Sequence, residues 1–290
     1  MPLENGWFRE ECDLWSGYSM CLKVDEVLYH EKSKFQDIMV FKSKRFGNVL
    51  VLDGLVQCSE KDEFAYQEMI ANIPLYSHPS PENVLIIGGG DGGVVREVVK
   101  HPSVKKVVLC EIDEEVCNVS KKYLPGMAVG LSHPKLELCI ADGVEYLEKC
   151  EGKFDVIITD STDPVGPAEG LFELRFYKLI HKALKPDGIM CNQGENIWLD
   201  KELIQDVLKK CRAVFPCVSY ANCTLATYAC GQIGLVLCSN TMRDLSKPVR
   251  TLTEDEVEAN DYKYYNSAVH SASFVLPNFA HKAFGLPIKS

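Results

Sequence analysis

The chain has 290 residues, of which 25% are charged, and a formal net charge of −10, so it is long enough for one large buried core and a smaller second unit. The acidic balance argues against a nucleic-acid partner and suits a small cationic substrate. No apolar run is long enough to span a membrane, so no membrane partner is expected.

The opening Met1-Pro-Leu-Glu-Asn-Gly lacks the basic and apolar regions of a signal peptide. The thirteen cysteines are odd in number and form no C-x-x-C pair, which places them as reduced thiols in a cytoplasmic protein. Asn118-Val-Ser and Asn222-Cys-Thr match glycosylation acceptors, and in that setting they read as chance matches.

Residues 1–60 carry short β-forming segments: Ser19–Leu28, Asp37–Phe41 and Asn48–Cys58. Gly47-Asn48 and Asp53-Gly54 supply turns between them. We expect a small antiparallel β domain over 1–60 whose strand edges need covering, which favours pairing with a second subunit.

From 61 to 290 the pattern changes to one larger domain. A helix is expected over Glu63–Ile73. Strands follow at Val84–Ile87, Lys106–Glu111, Leu136–Ala141, Asp155–Asp160 and Ile189–Gln193, alternating with helices. The helical faces carry Val94, Val95, Val98 and Val99; then Phe172, Phe176, Leu179, Ile180 and Leu184; then Leu203, Ile204, Val207, Leu208 and Cys211. Alternation of this kind predicts an α/β fold with a doubly wound, mostly parallel sheet and ligands at the carboxyl ends of its strands. Gly234–Ser239 reads as a late, antiparallel edge strand. Thr251–Ser290 reads as one short acidic helix and an aromatic tail.

The most informative stretch is Val84-Leu-Ile-Ile-Gly-Gly-Gly-Asp-Gly-Gly-Val-Val-Arg-Glu97. A strand, a glycine-rich turn and a helix start form a nucleotide-like site. Gly88, Gly90 and Gly93 satisfy G-x-G-x-x-G, so a nicotinamide dehydrogenase must be weighed. Asp91 counts against it. At about 4 Å and an effective dielectric near 20, a carboxylate and a phosphate charge repel by roughly 4 kcal/mol, about a thousandfold in affinity. The loop therefore suits an adenosine compound whose far end is positive. No G-K-[ST], H-E-x-x-H or Cys/His cluster follows, so neither a P-loop nor a metal is expected.

Further candidates sit where strands run out. Glu111 ends the second strand, placed to accept from two ribose hydroxyls. Asp142 follows the third strand; it either accepts from an adenine amino group or caps a helix over Val144–Lys149. Asp160 ends the fourth, in Asp160-Ser-Thr-Asp163-Pro164; the two acids either face the cleft together or form a capped turn before proline. Val165–Gly170 has the turn content of a mobile lid or of a plain surface loop. Tyr66-Gln67 and Tyr228 either line a cation site or are packed core residues.

With these residues in view, the chain resembles the spermidine synthases over nearly its whole length. The glycine motif, Asp160-Ser-Thr-Asp-Pro, Tyr66-Gln67 and Cys191-Asn-Gln193-Gly-Glu carry the resemblance. It implies a methyltransferase-like Rossmann domain, a homodimer formed through the N-terminal β domain, and transfer of an aminopropyl group from decarboxylated S-adenosylmethionine to putrescine. By position, Gln36, Gln67, Gly88, Gly90, Asp91, Glu111, Asp142 and Gly143 would contact the cosubstrate. Asp160 would accept the proton. Tyr66, Asp160, Asp163, Gln193 and Tyr228 would hold the diamine, with Trp15 walling the pocket. No separate cofactor is implied. The alternatives are a putrescine N-methyltransferase, a spermine synthase, or a binding protein that kept the fold without turnover.

Overall fold

The computed structural model describes residues 3–162 and 166–288. The N-terminal region holds two antiparallel sheets rather than a single β unit. Strands β1 (Leu3–Glu4), β2 (Trp7–Glu10) and β3 (Met20–Lys23) make the first; β4 (Glu26–Lys32), β5 (Asp37–Ser43), β6 (Gly47–Leu52) and β7 (Leu55–Ser59) make the second. The β6–β7 hairpin turns at Asp53-Gly54, where both residues have positive φ, 48° and 83°, the backbone that this tight connection demands. Phe8, Leu22, Met39, Phe41, Val49 and Val51 pack the two sheets against each other.

Helix α1 (Glu63–Ser77) follows, longer than expected because it runs through Pro74. The chain then alternates: β8 (Asn83–Gly88), α2 (Gly93–Val98), β9 (Lys106–Glu111), α3 (Glu114–Tyr123), α4 (Pro125–Ala128), β10 (Leu136–Ile140), α5 (Gly143–Glu148), β11 (Phe154–Asp160), α6 (Leu174–Ala183), β12 (Leu184–Gln193), α7 (Lys201–Arg212), β13 (Cys217–Thr224) and β14 (Gln232–Ser239). The seven strands β8–β14 form one sheet in the order β10-β9-β8-β11-β12-β14-β13. β8 to β12 pair in parallel, and β14 joins β12 and β13 antiparallel. This is the doubly wound α/β sheet expected, closed by an antiparallel pair.

Two expectations are corrected here. β14 lies inside the sheet, between β12 and β13; the edge is β13, which the sequence reading passed over. Ile233 to Ser239 are all buried, so β14 has the apolar content of an interior strand, whereas β13 is only partly buried. The C-terminal tail holds three short helices, α8 (Glu254–Ala259), α9 (Ser267–Ala272) and α10 (Asn278–Phe284). All three span only six or seven residues, too few for a helical period to emerge from sequence, and only the acidic α8 was expected.

Alternate residues of each strand enter opposite cores. Val84, Ile86, Leu109 and Ile158 pack under α1 and α2. Leu85, Ile87, Val108 and Ile157 pack under α6, α7 and α10. Val99 is half-buried at the end of its helix. The order of the sheet reverses at β8, with β9 on one side and β11 on the other. The carboxyl ends of β8 and β11 therefore open onto the crevice where such folds take ligands, and in the pairing register Asp160 stands opposite Gly88.

Candidate active site

A single cleft over that crevice is lined by Trp15, Gln36, Tyr66, Gln67, Gly88, Gly90, Asp91, Glu111, Asp142, Gly143, Asp160, Gln193 and Tyr228. All the site residues singled out from sequence thus come together, except Asp163, which lies outside the described residues, as do Pro164 and Val165. The following residues, Gly166–Phe172, form a short 3-10 helix whose Ala168 lines the same cleft.

The glycine loop is shaped by contact as well as conformation. Gly88 has φ +77°, and a Cβ there would lie 2.1 Å from the Asp160 backbone oxygen; a Cβ on Gly93 would lie 1.8 Å from Gln67 Oε1. Both neighbours occupy the space a side chain would need. Asp91 is held at the tip. Its Oδ1 accepts from the Gly93 backbone N–H at 2.6 Å and from Gln67 Nε2 at 3.1 Å. Arg96, gripped by Glu63, donates to Gln67 Oε1 at 3.2 Å, and so fixes which end of the Gln67 amide faces Asp91.

Asp160 Oδ1 accepts from the Tyr66 hydroxyl at 2.7 Å. Burial pushes the Asp160 carboxyl above its ordinary range, and the Tyr66 hydrogen bond pulls it partly back. Burial also pushes Asp91 up, and the nearby Asp160 charge adds to that. Two enclosed like charges destabilise each other's ionised form. A cation between them would reverse that penalty. Burial and the Asp160 charge also push the Tyr66 phenol well up, so it remains a donor.

Glu111 is 6% exposed and its Oε1 accepts from the Asp113 N–H at 2.9 Å. Burial, its largest influence, raises it to about 7. Gln36 donates to Asp113 Oδ2 at 2.9 Å, linking the second N-terminal sheet to the Glu111 turn. Asp142 does cap α5: its Oδ1 accepts from Val144 and Glu145 N–H at 2.8 and 3.0 Å. It also lines the cleft, so the cap and a ligand contact are compatible. The Gly143 backbone packs close, with Ile87 Cγ2 only 2.5 Å from where a Cβ would sit.

On the other side, the Tyr66 and Tyr228 rings meet edge-on at 5.7 Å. Tyr228 donates its hydroxyl to the Gln57 carbonyl at 2.6 Å, so its proton is committed while its oxygen can still accept. Gln193 Oε1 is buried with no hydrogen-bond partner among the described residues, a vacant acceptor beside Asp160. Sequence reasoning missed a second set of acids lining this end: Glu10, Asp62, Glu195 and Asp200. Glu10 had a signal, since it occupies an inward position on β2, in line with Phe8. Glu195 has another, a positive φ of 57° in a non-glycine residue, which is visible only in three dimensions.

The cleft thus holds the buried Glu111, the pair of buried acids Asp91 and Asp160, and further acids together with Tyr66, Tyr228 and Trp15. Comparisons with known proteins identify the family. Residues 63–247 match the spermine/spermidine synthase domain, and residues 6–60 match the spermidine synthase tetramerisation domain. The chain is 54% identical to a spermidine synthase of Dictyostelium discoideum, over 98% of this chain and 99% of that one. It is 52% identical to a spermidine synthase of Schizosaccharomyces pombe, over 96% and 93%. A crystal structure of a spermidine synthase in complex with the transition-state analogue AdoDATO superposes with a TM-score of 0.89 at 38% identity, covering 98% of this chain and 97% of that one. With family models across both regions and relatives above half identity over nearly every residue, the chain belongs to the spermine/spermidine synthase family.

Proposed function

We propose that the protein is a spermidine synthase. It transfers the aminopropyl group of decarboxylated S-adenosylmethionine to putrescine, giving spermidine and methylthioadenosine. The observation that carries this reading is the Tyr66–Asp160 pair set beside Asp91 in an enclosed acidic cleft. Such a site is unfavourable when empty of cations and favourable around a sulfonium, an ammonium and an amine.

In the reaction, the nitrogen lone pair of one putrescine amine attacks the aminopropyl carbon next to sulfur. The carbon–sulfur bond breaks, its electrons go to sulfur, and the sulfonium becomes a neutral thioether. The new secondary ammonium loses its proton to Asp160. The amine must first be neutral, and with a pKa near 10.4 that costs about 4–5 kcal/mol at pH 7. A carboxylate alone would raise the cost; the sulfonium repels the ammonium form and lowers it. Asp160 and Tyr66 then hold the nitrogen in line, and positioning supplies much of the rate. We assign the unpartnered Gln193 Oε1 to accept another of its N–H groups.

Asp91, oriented by Gln67 and the Gly93 N–H, takes the cosubstrate's ammonium. Glu111 takes the ribose hydroxyls, Asp142 and Gly143 the base, and Gln36 closes the ribose side. An intact S-adenosylmethionine carries a carboxylate that Asp91 disfavours, which argues against an N-methyltransferase. At the other end Asp163 receives the distal ammonium of the diamine, between the walls of Tyr228 and Trp15. We assign residues 1–60 to assembly and to part of the cleft, and residues 61–290 to catalysis. A homodimer through residues 1–60 fits the exposed strand β4 at the edge of its sheet. Thirteen free thiols suit a cytoplasmic setting.

The test is the purified chain with putrescine and either decarboxylated or intact S-adenosylmethionine, products identified by mass. Spermidine and methylthioadenosine from the decarboxylated form are expected. Methylated putrescine from the intact form would overturn the reading, and spermine formed from spermidine in preference to spermidine from putrescine would make this a spermine-forming enzyme. Light scattering of the full chain at two chain masses is expected; a single chain mass would remove the dimer.

A further inference from the structure

At the acceptor end, the cleft is closed by a short segment of the N-terminal region that does not belong to either sheet. Asp13–Trp15 is a single 3-10 turn between β2 and β3. It is tied across the cleft at two points. Trp15 Nε1 donates to Asp200 Oδ1 at 2.9 Å, over 185 residues of sequence. The Tyr18 hydroxyl accepts from the Cys230 N–H at 3.0 Å. Between these ties lies Gly17, with φ +88°, a left-handed backbone that glycine adopts without strain.

Asp200 is built for that tie. It is 6% exposed and precedes α7, yet its side chain does not cap the helix. Its two oxygens face different segments instead: Oδ1 takes Trp15, and Oδ2 takes the Asn196 N–H at 3.1 Å. Asn196 in turn donates its amide to the Ala229 and Gln232 carbonyls at 2.7 and 3.0 Å. The Asp200 carboxylate thus clasps the turn at Trp15 to the loop after β12, and the Asn196 amide ties that loop to the one before β14. Trp15, Asp200, Asn196 and Tyr228 all line the cleft.

We infer that Asp200 is a positioning residue that sets acceptor length: it holds the Trp15 indole as the end wall of the diamine slot and so excludes triamines. The inference rests on the aminopropyl transfer proposed above. On this inference a diamine with its reacting nitrogen at Asp160 fits within that wall. Spermidine, with a further aminopropyl arm, needs the space the indole occupies. A hydrogen bond to a carboxylate is among the stronger kinds, so its loss releases the indole from that position.

The rival role for Asp200 is electrostatic, as a direct partner of the distal ammonium, and a double-mutant cycle separates the two. Asp200→Ala, Trp15→Phe and the double variant are compared by kcat/KM for putrescine and for spermidine, with thermal melts to confirm folding. Phe keeps most of the ring but has no N–H to give. The latch predicts that each single change raises the spermidine-to-putrescine ratio about tenfold, and that the double variant goes no further than either. Independent effects in the double variant, or a ratio that stays within twofold in both singles, would overturn it. A fall in putrescine kcat/KM in Asp200→Ala that persists undiminished in the Trp15→Phe background would assign Asp200 to the ammonium instead. Wild type that makes no spermidine at all would sink the parent reading, a result distinct from an unchanged ratio in an active enzyme. Should Asp200→Ala fail to fold, Trp15→Phe alone still carries the test through its ratio.

Discussion

At the cosubstrate end of the cleft, Asp91, Glu111, Asp142 and Asp160 each leave the carboxyl end of a parallel strand or the turn directly after it. At the acceptor end, Glu10 comes from β2, Trp15 from a turn between small strands, and Glu195 and Asp200 from the loop after β12. The first set is positioned by a repeated local rule: strand, turn, helix. The second is positioned by contacts across as many as 185 residues. A site of the first kind is rigid and expensive to alter. A site of the second kind is adjustable, because moving one loop changes what fits without touching the chemistry. In the function proposed here, the reacting groups sit on the rigid side and the choice of acceptor on the adjustable side.

The sharpest way to break that comparison is at Asp160, where the two ends meet. Asp160→Asn keeps the shape and the Tyr66 hydrogen bond but removes the proton acceptor. Turnover is expected to fall by about two to four orders of magnitude, with cosubstrate affinity by calorimetry nearly unchanged. In the wild type, burial lifts the Asp160 carboxyl above its ordinary value, and the base must be ionised to work. Activity is therefore expected to drop as pH falls through that raised value, at a higher pH than an ordinary aspartate would give. Turnover of the Asn variant within tenfold of wild type at neutral pH would move the base elsewhere.

The next test stays on the rigid side. Asp91→Asn leaves a side chain that Gln67 and Gly93 can still hold, yet removes its charge. A charge-assisted contact is worth about 1.5–3 kcal/mol, so the preference for decarboxylated over intact S-adenosylmethionine is expected to shrink roughly ten- to a hundredfold. An unchanged preference, measured by calorimetry with both compounds, would take Asp91 out of the discrimination.

The same contrast explains what the sequence could say. Asp91, Glu111 and Asp160 were legible because parallel strands announce their ends, and ligands gather there. Asp142 was legible in both of its readings, and the structure accommodates both. Asp200 was not, because a lone aspartate before a helix reads as a cap, and only the fold shows that its oxygens point to Trp15 and Asn196 instead. Likewise β13 was invisible beside the more apolar β14, and helices α9 and α10, of six and seven residues, are too short to show a period. The division of the N-terminal strands into two sheets depends on which faces pack, as Phe8 does on Phe41, and no spacing along the chain encodes that.

Glu111 gives the smallest and most diagnostic effect, because it separates stability from binding on the rigid side. Its unfolded value is near the ordinary 4.5, and burial raises it to about 7 in the fold. Between those values the folded chain holds a proton that the unfolded chain has lost. The unfolded state then binds fewer protons, so stability falls as pH rises from about 4.5 to about 7. The difference corresponds to at most about 3 kcal/mol above pH 7. Glu111→Gln removes the buried charge and keeps an oxygen for the Asp113 N–H. The free variant is expected to melt a few degrees above wild type at pH 8, to match it near pH 4.5, and to show a flatter melting-temperature profile between. Its cosubstrate affinity is expected to drop about tenfold, since a neutral amide accepts ribose hydroxyls less strongly than a carboxylate. Equal melting temperatures at pH 8 would mean the carboxyl is not penalised by burial, and unchanged affinity would mean it does not meet the ribose. The two outcomes are independent. A gain in stability paired with a loss of affinity would identify Glu111 as a charge the fold tolerates for the sake of its ligand.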